Sequence, residues 1–221
     1  MQQKEIKQKA GVRETAKAKK RLEILRAALE LFSACGIENV SMEQVSAKAG
    51  IGSATIYRYF PTKADLASGA ALLLWKDMEH QYLPSLMTEA FSSLNGREQL
   101  REILLLFPVI YEEHPAFLRF LMDFDNYIQC SGMAKAQLSD YEGLIGSLKG
   151  YAEAAIEKGL SDHTLFFTAS VEEIYFTVFH CMLSTTQKIA VQGDLLTMDL
   201  KVSGKMQLDL LVTLLIKGLS K

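Results

Sequence analysis

Apolar residues recur along this chain at spacings of three and four, and runs that alternate apolar with polar residues are missing, so nearly every segment reads as helix and the fold as all-α. Residues 1–17 have no apolar stripe, which makes 1–19 a flexible basic arm. From Lys20 the pattern changes: Leu22, Leu25, Leu29 and Phe32 share one face, and Gly36 stands where a left-handed residue stops a helix. A short second helix starts at Ser41, whose hydroxyl can cap it while Gln44 reaches back, and it ends at Ala49-Gly50. A third runs from Ser53 to Phe60, and a fourth from Lys63 to Tyr82, where Pro84 breaks the chain. Further helices are predicted at Gly96–His114, kinked by Pro108, and at Pro115–Cys130, Ala134–Lys158, Leu165–Gln192 and Gly204–Leu219.

Hydrophobic residues make up 49% of the 221 and charged ones 23%, with 4 prolines, which is the balance of a globular chain with a real core. Three cysteines, Cys35, Cys130 and Cys181, form no CxxC pair, and no His, Cys or carboxylate set has metal spacing, so neither a disulfide framework nor a metal or other cofactor is expected. No apolar run is long enough to span a bilayer and no secretion signal is read, so no membrane partner and a cytoplasmic location are expected. Charge is unevenly placed. Residues 1–65 hold 12 Lys+Arg against 7 Asp+Glu, whereas residues 66–221 hold 12 against 19, so one end suits a polyanion that the other avoids. Nucleic acid is the first candidate and an anionic membrane surface the second.

Helix, three-residue turn, helix is the feature with chemistry in it. Gly50 suits the positive φ that lets the third helix leave steeply, and Val45, Ile51 and Ile56 face inward to lock the pair. Such a unit presents the first turn of its second helix to a major groove. The segment Ser41–Leu66, SMEQVSAKAGIGSATIYRYFPTKADL, resembles the DNA-binding signature of the tetracycline-repressor (TetR) family, with its Ala-Gly-aliphatic turn, Thr55-Ile56-Tyr57, the pair Tyr59-Phe60 and Lys63. Ser46 and Gly52 depart from that pattern, where alanine and serine are common. The resemblance implies that Ser53, Ala54 and Thr55 face base edges while Tyr57, Tyr59 and Lys63 hold phosphates; Ser41 belongs to the same set. Arg58 is open to guanine, phosphate or solvent.

No low-complexity linker precedes residue 66, so the fourth helix is shared between a DNA-binding domain at 20–65 and a larger domain at 66–221. The resemblance implies a ligand cavity in the larger domain, and Trp75, Phe107, Tyr111, Phe120, Phe124, Tyr151, Tyr175 and Phe179 are the rings expected in its wall; read singly, each ring is more readily core packing than pocket. Gly143, Gly146 and Gly150 on successive turns call for a closely packed neighbouring helix or room for a ligand. Glu173 and His180, two turns apart, could meet a polar ligand group or be satisfied locally. The final helix is apolar nearly all round, so it and residues 165–192 should meet a second copy, with the homodimer interface at 165–192 and 204–219.

The reading is a homodimeric regulator, a repressor released from a palindromic double-stranded DNA operator by a small apolar or aromatic ligand. The alternative is a DNA-bound structural or interaction protein of the same fold without a small-molecule inducer. An enzyme is not expected, because no G-x-S-x-G, phosphate-binding glycine loop or Ser/His/Asp set occurs.

Overall fold

The computed structural model describes residues 2–192, 197 and 201–220, with side chains from residue 15 onward. Among these residues there is no strand. Ten α-helices follow one another: α1 (Gln2–Cys35), α2 (Met42–Lys48), α3 (Ser53–Tyr59), α4 (Lys63–Tyr82), α5 (Glu89–Ser93), α6 (Gly96–Glu113), α7 (Pro115–Ser131), α8 (Lys135–Ser161), α9 (Val171–Gln192) and α10 (Gly204–Gly218), with a 3-10 helix at Leu83–Met87. The chain divides into two compact units, one of residues 1–73 with 123–138, the other of 74–122 with 139–221. Helices α4, α7 and α8 each contribute residues to both.

Three local features depart from the sequence reading. α1 begins at Gln2, so the stretch read as a flexible arm is helical in backbone; its Gln, Lys, Glu and Ala residues are strong helix formers that can extend an existing helix without an apolar stripe. Most of the arm's basic side chains lie outside the described residues. α9 begins at Val171, because Ser170 caps it: Ser170 N and Oγ each donate to Glu173 at 2.7 Å, and Glu173 N returns to Ser170 Oγ. Residues 83–93 form two short helices where none was expected, Thr88 capping α5 through Phe91 N at 3.1 Å.

In the first unit Ile24, Ala28, Phe32, Ile37, Val45, Ile56, Phe60 and Leu66 are buried. Gly36 (φ 80°) and Gly50 (φ 63°) take the left-handed conformation expected of them, which costs a residue with a Cβ roughly 1–2 kcal/mol. Segment 123–138 joins this unit through side chains to backbone: Asp123 Oδ2 accepts from Ile37 N at 2.7 Å and Ser68 Oγ donates to Gln137 O at 2.6 Å.

The core of the second unit gathers Leu100 and Leu104 of α6, Ala152, Ala155 and Ile156 of α8, Tyr175, Val178 and Met182 of α9, and Val212 and Ile216 of α10. Pro108 is buried inside α6, which continues through it to Glu113. α6 starts hard against the end of α8, since a Cβ on Gly96 would collide with the backbone of Lys158 and Gly159. Asp162 Oδ2 accepts from Gly96 N at 2.7 Å and ties the same corner.

Candidate functional site

The turn between α2 and α3 is built as its residues require. Ser41 accepts from Gln44 N at 3.2 Å and donates its own N–H to Gln44 Oε1 at 2.7 Å, so its hydroxyl oxygen serves as the cap of α2. Ile51 N donates to Ser46 O at 2.9 Å, closing the turn after Gly50. Ser46 is buried and returns its hydroxyl to Glu43 O at 2.8 Å, and Gly52 caps α3 in an extended conformation without a side-chain bond. Both departures from the signature are thereby accommodated.

With Ile56 and Phe60 fully buried, α3 has one possible orientation. It leaves Ser53, Ala54, Tyr57 and Arg58 exposed and Thr55 and Tyr59 half-buried. Tyr57 Oη donates to Glu43 Oε1 at 3.0 Å. That bond pushes the phenol above its ordinary pKa; the Glu43 carboxyl is held below its usual value by its own backbone N–H first, then by Tyr57 and Ser41. The sequence reading missed Glu43, although its place in the first turn of α2, next to the cap, is visible there. The Arg58 guanidinium lies 5.9 Å from the Tyr59 ring centroid. Lys63 Nζ donates to Glu38 O at 2.8 Å and sits 5.8 Å from the Tyr127 ring, which leaves two of its three ammonium protons for another acceptor.

The second unit contains a cavity of about 160 Å³. Its wall takes Trp75, Met78, Glu79 and Tyr82 from α4, Ile103, Leu106, Phe107 and Ile110 from α6, Phe117 and Leu118 from α7, Ile145, Leu148 and Tyr151 from α8, and Tyr175, Phe179 and Leu183 from α9. Trp75 packs edge-on to Phe117 at 5.2 Å between centroids, Phe107 meets Phe179 at 5.9 Å, and Tyr175 stacks on Phe179 at 4.6 Å.

Five of the eight rings expected in this wall are there: Trp75, Phe107, Tyr151, Tyr175 and Phe179. The other three are not. Tyr111 lies a further 100° round α6 from Ile110, and its hydroxyl is lodged against Gly204. Phe120 and Phe124 are 2% and 0% exposed and do not line the cavity, although they follow Phe117 at three and seven residues; Phe124 belongs to the first unit. What sequence reasoning missed on α4 was nonetheless signalled: Met78, Glu79 and Tyr82 follow Trp75 at three, four and seven residues. Gly143, Gly146 and Gly150 meet neither expectation. All three are exposed, and among the described residues a Cβ on any of them would meet nothing within 4 Å beyond its own helix turn. Glu173 is spent on capping α9, and His180 is exposed, tilted against Phe176 at 5.4 Å; neither lines the cavity.

α10 buries Leu208, Val212 and Ile216, with Leu211 and Leu215 packed at the edge of the core. Its opposite face carries Met206, Leu210 and Leu214 at 64%, 58% and 57% exposure, and α9 adds exposed Phe176 and Val191. Among the described residues no helix is long and apolar enough to cross a membrane, and no group of three metal-ligating side chains occurs.

Comparison with known proteins gives three findings. The family model for bacterial regulatory proteins, tetR family, matches residues 24–70. The HTH-type transcriptional repressor NicS of Pseudomonas putida is 31% identical over 157 residues, covering 69% of this chain and 70% of that protein. Among solved structures, a transcriptional regulator from Saccharomonospora viridis in complex with choline superposes with a TM-score of 0.70 at 17% identity, over 92% of this chain and 99% of that one. FadR from Bacillus subtilis in complex with stearoyl-CoA gives 0.65 at 14% identity, over 90% and 98%. At such identities these two speak to the fold alone.

Proposed function

Since the chain belongs to the tetR family of bacterial transcriptional regulators, we propose that it is a homodimeric repressor whose α3 reads a palindromic operator and whose cavity takes the ligand that releases it. The observation that carries this is the outward face of α3. Ser53, Ala54 and Thr55 are small enough to approach base edges, while Tyr57, Arg58, Tyr59 and Lys63 supply the hydroxyls and charges that hold phosphates to either side. The bond from Tyr57 to Glu43 must open, or Glu43 must be screened, for Tyr57 to reach a phosphate.

The domain with residues 20–65 binds DNA and residues 66–221 bind the ligand and the second copy. The exposed row Met206, Leu210 and Leu214 is the centre of that dimer contact, which uses 204–219 and the facing surface of 165–192. A C2 dimer sets two copies of α3 about 34 Å apart, one turn of DNA, and so demands a two-fold site. α4 links ligand to DNA, because its second half lines the cavity while Lys63 opens its first. A ligand that prefers the dimer geometry with mismatched α3 spacing lowers operator affinity in proportion to that preference.

The alternative, a DNA-bound protein without a small inducer, calls for a filled core at the aromatic cluster; a cavity of about 160 Å³ there speaks for the ligand-responsive reading. Selection of bound duplexes from a random pool tests the DNA reading. A two-fold symmetric consensus is expected, and placing it before a reporter promoter should lower expression when the protein is present. A pool enriched without symmetry would overturn the dimeric reader.

A further inference from the structure

Glu79 is the sole charged side chain in the wall of an otherwise apolar and aromatic cavity, and among the described residues it has neither a hydrogen-bond nor an ion-pair partner. We propose that the cavity selects a compact organic cation, its ammonium group held by Glu79 and its apolar body, about one ring in size, lodged among the surrounding aromatic side chains. This rests on reading the cavity as a ligand site, and it names the ligand's charge, which that reading leaves open.

Three observations converge. First, Glu79 stands inside the stripe of α4 that faces the cavity, between Trp75 and Tyr82, rather than on the helix's solvated side. A carboxylate in such a place has lost part of its water and gains most from a cationic hydrogen-bond donor. No lysine, arginine or histidine shares the wall. The nearby Lys149 is committed to Glu153 at 3.3 Å and Glu172 at 2.9 Å outside it.

Second, two wall rings have their polar atoms already engaged, which leaves them apolar and π surface to offer. Trp75 Nε1 donates to Tyr141 Oη at 3.2 Å, so the indole N–H is already engaged. Tyr82 Oη donates to Glu113 Oε2 at 2.8 Å; burial first, then Glu113, drives this phenol far above its ordinary pKa and keeps it neutral. Aromatic faces attract cations, more strongly where water is thinned out. An anion would meet Glu79 directly, whereas the Lys149 ammonium, 5.4 Å from the ring of the wall residue Tyr175, is already paired with Glu153 and Glu172. Third, the volume sets the size: a cavity of about 150 Å³ is large enough for benzene, so about 160 Å³ holds one ring and a short substituent.

The test uses three ligands of nearly equal shape, benzylammonium, ethylbenzene and benzoate, with the full-length protein. Trp75 is the only tryptophan, so its emission reports occupancy directly, with calorimetry as a second readout. Benzylammonium should bind about 10-fold to about 100-fold more tightly than ethylbenzene, the range of a hydrogen bond to a charged group, and benzoate weakest of the three. In Glu79→Gln, which keeps the shape, benzylammonium should lose that advantage while ethylbenzene binds as before, a control that the cavity is intact. Equal binding of ethylbenzene and benzylammonium to the unaltered protein, or an unaffected benzylammonium affinity in Glu79→Gln, would overturn the cationic assignment and leave the cavity as an apolar site. If none of the three binds by either readout, the ligand-site reading falls and the assignment with it.

Discussion

On the dimer proposed above, changing Leu210 should separate assembly from folding. Its side chain is 58% exposed on α10 between Met206 and Leu214, whereas its neighbour Leu211 packs against the core of the second unit. Burying a whole leucine side chain is worth about 1.5–3 kcal/mol, so the exposed fraction of Leu210 offers about 0.9–1.7 kcal/mol to a partner. A two-fold interface uses the same patch twice, which makes Leu210→Ala cost about 1.7–3.5 kcal/mol of dimer, or about 20-fold to about 400-fold in the dissociation constant. Leu210→Glu adds the desolvation of two unpaired carboxylates and should leave a folded monomer at micromolar concentration. Sedimentation gives the assembly state and circular dichroism the helix content of the same sample. Val212→Glu should instead unfold the protein, since there the charge enters the core. A wild-type protein that sediments as a monomer, or Leu210→Glu that dimerises as tightly as wild type, would refute the assignment of this face.

Operator affinity should fall steeply with salt, and Arg58→Ala should reduce the slope of log affinity against log salt by about 1 if Arg58 holds a phosphate, whereas a change in preferred sequence with the slope intact would assign it to a base. Gly96→Ala should destabilise the second unit by about 1–3 kcal/mol in urea melts, because the new methyl meets backbone of Lys158 and Gly159 that no side-chain rotation can clear; an unchanged midpoint would contradict that close approach. Burial pushes Asp65 up, but hydrogen bonds from Gln137 at 2.9 Å and from Thr62 outweigh it and hold the carboxyl below its ordinary 3.8. Its folded pKa is thus depressed, so its stabilisation is complete above about pH 3.8 and is lost as pH falls through the lower folded value; Asp65→Asn should flatten acid unfolding in that range, and an unaltered acid limb would count against it.

Most helix ends were legible to within a few residues, although the Ser170–Glu173 cap that opens α9 was not. Ser41 with Gln44 and Gly50 mark ends that depend on local bonds, and local bonds are written in neighbouring residues. Helix α1 was legible at its end, where Gly36 acts, but not at its start, where nothing stops a run of good helix formers. Cavity residues were legible only in part, since every ring on an inward face looks alike in sequence. Spacings of four and three keep Phe107 with Tyr111 and Phe117 with Phe120 on one helix face, so what separates them is the packing each ring meets, and contacts such as that of Tyr111 with Gly204 join residues far apart in the chain. Glu79 was overlooked because a carboxylate on a long helix ordinarily faces water.

Gly143, Gly146 and Gly150 give α8 an uneven mechanical character. Each weakens a helix interior by about 1 kcal/mol relative to alanine, and here no neighbour packs into the space a side chain would fill, so nothing offsets the loss. The stretch interleaved with them carries Ile145, Leu148 and Tyr151, one side of the cavity. Opening free energy should therefore be lower along that side than in the core-facing part of α6 with Leu100 and Leu104, and its backbone amides should exchange with solvent first. The cavity has one yielding wall and one stiff one, so thermal breathing changes its width chiefly by motion of α8.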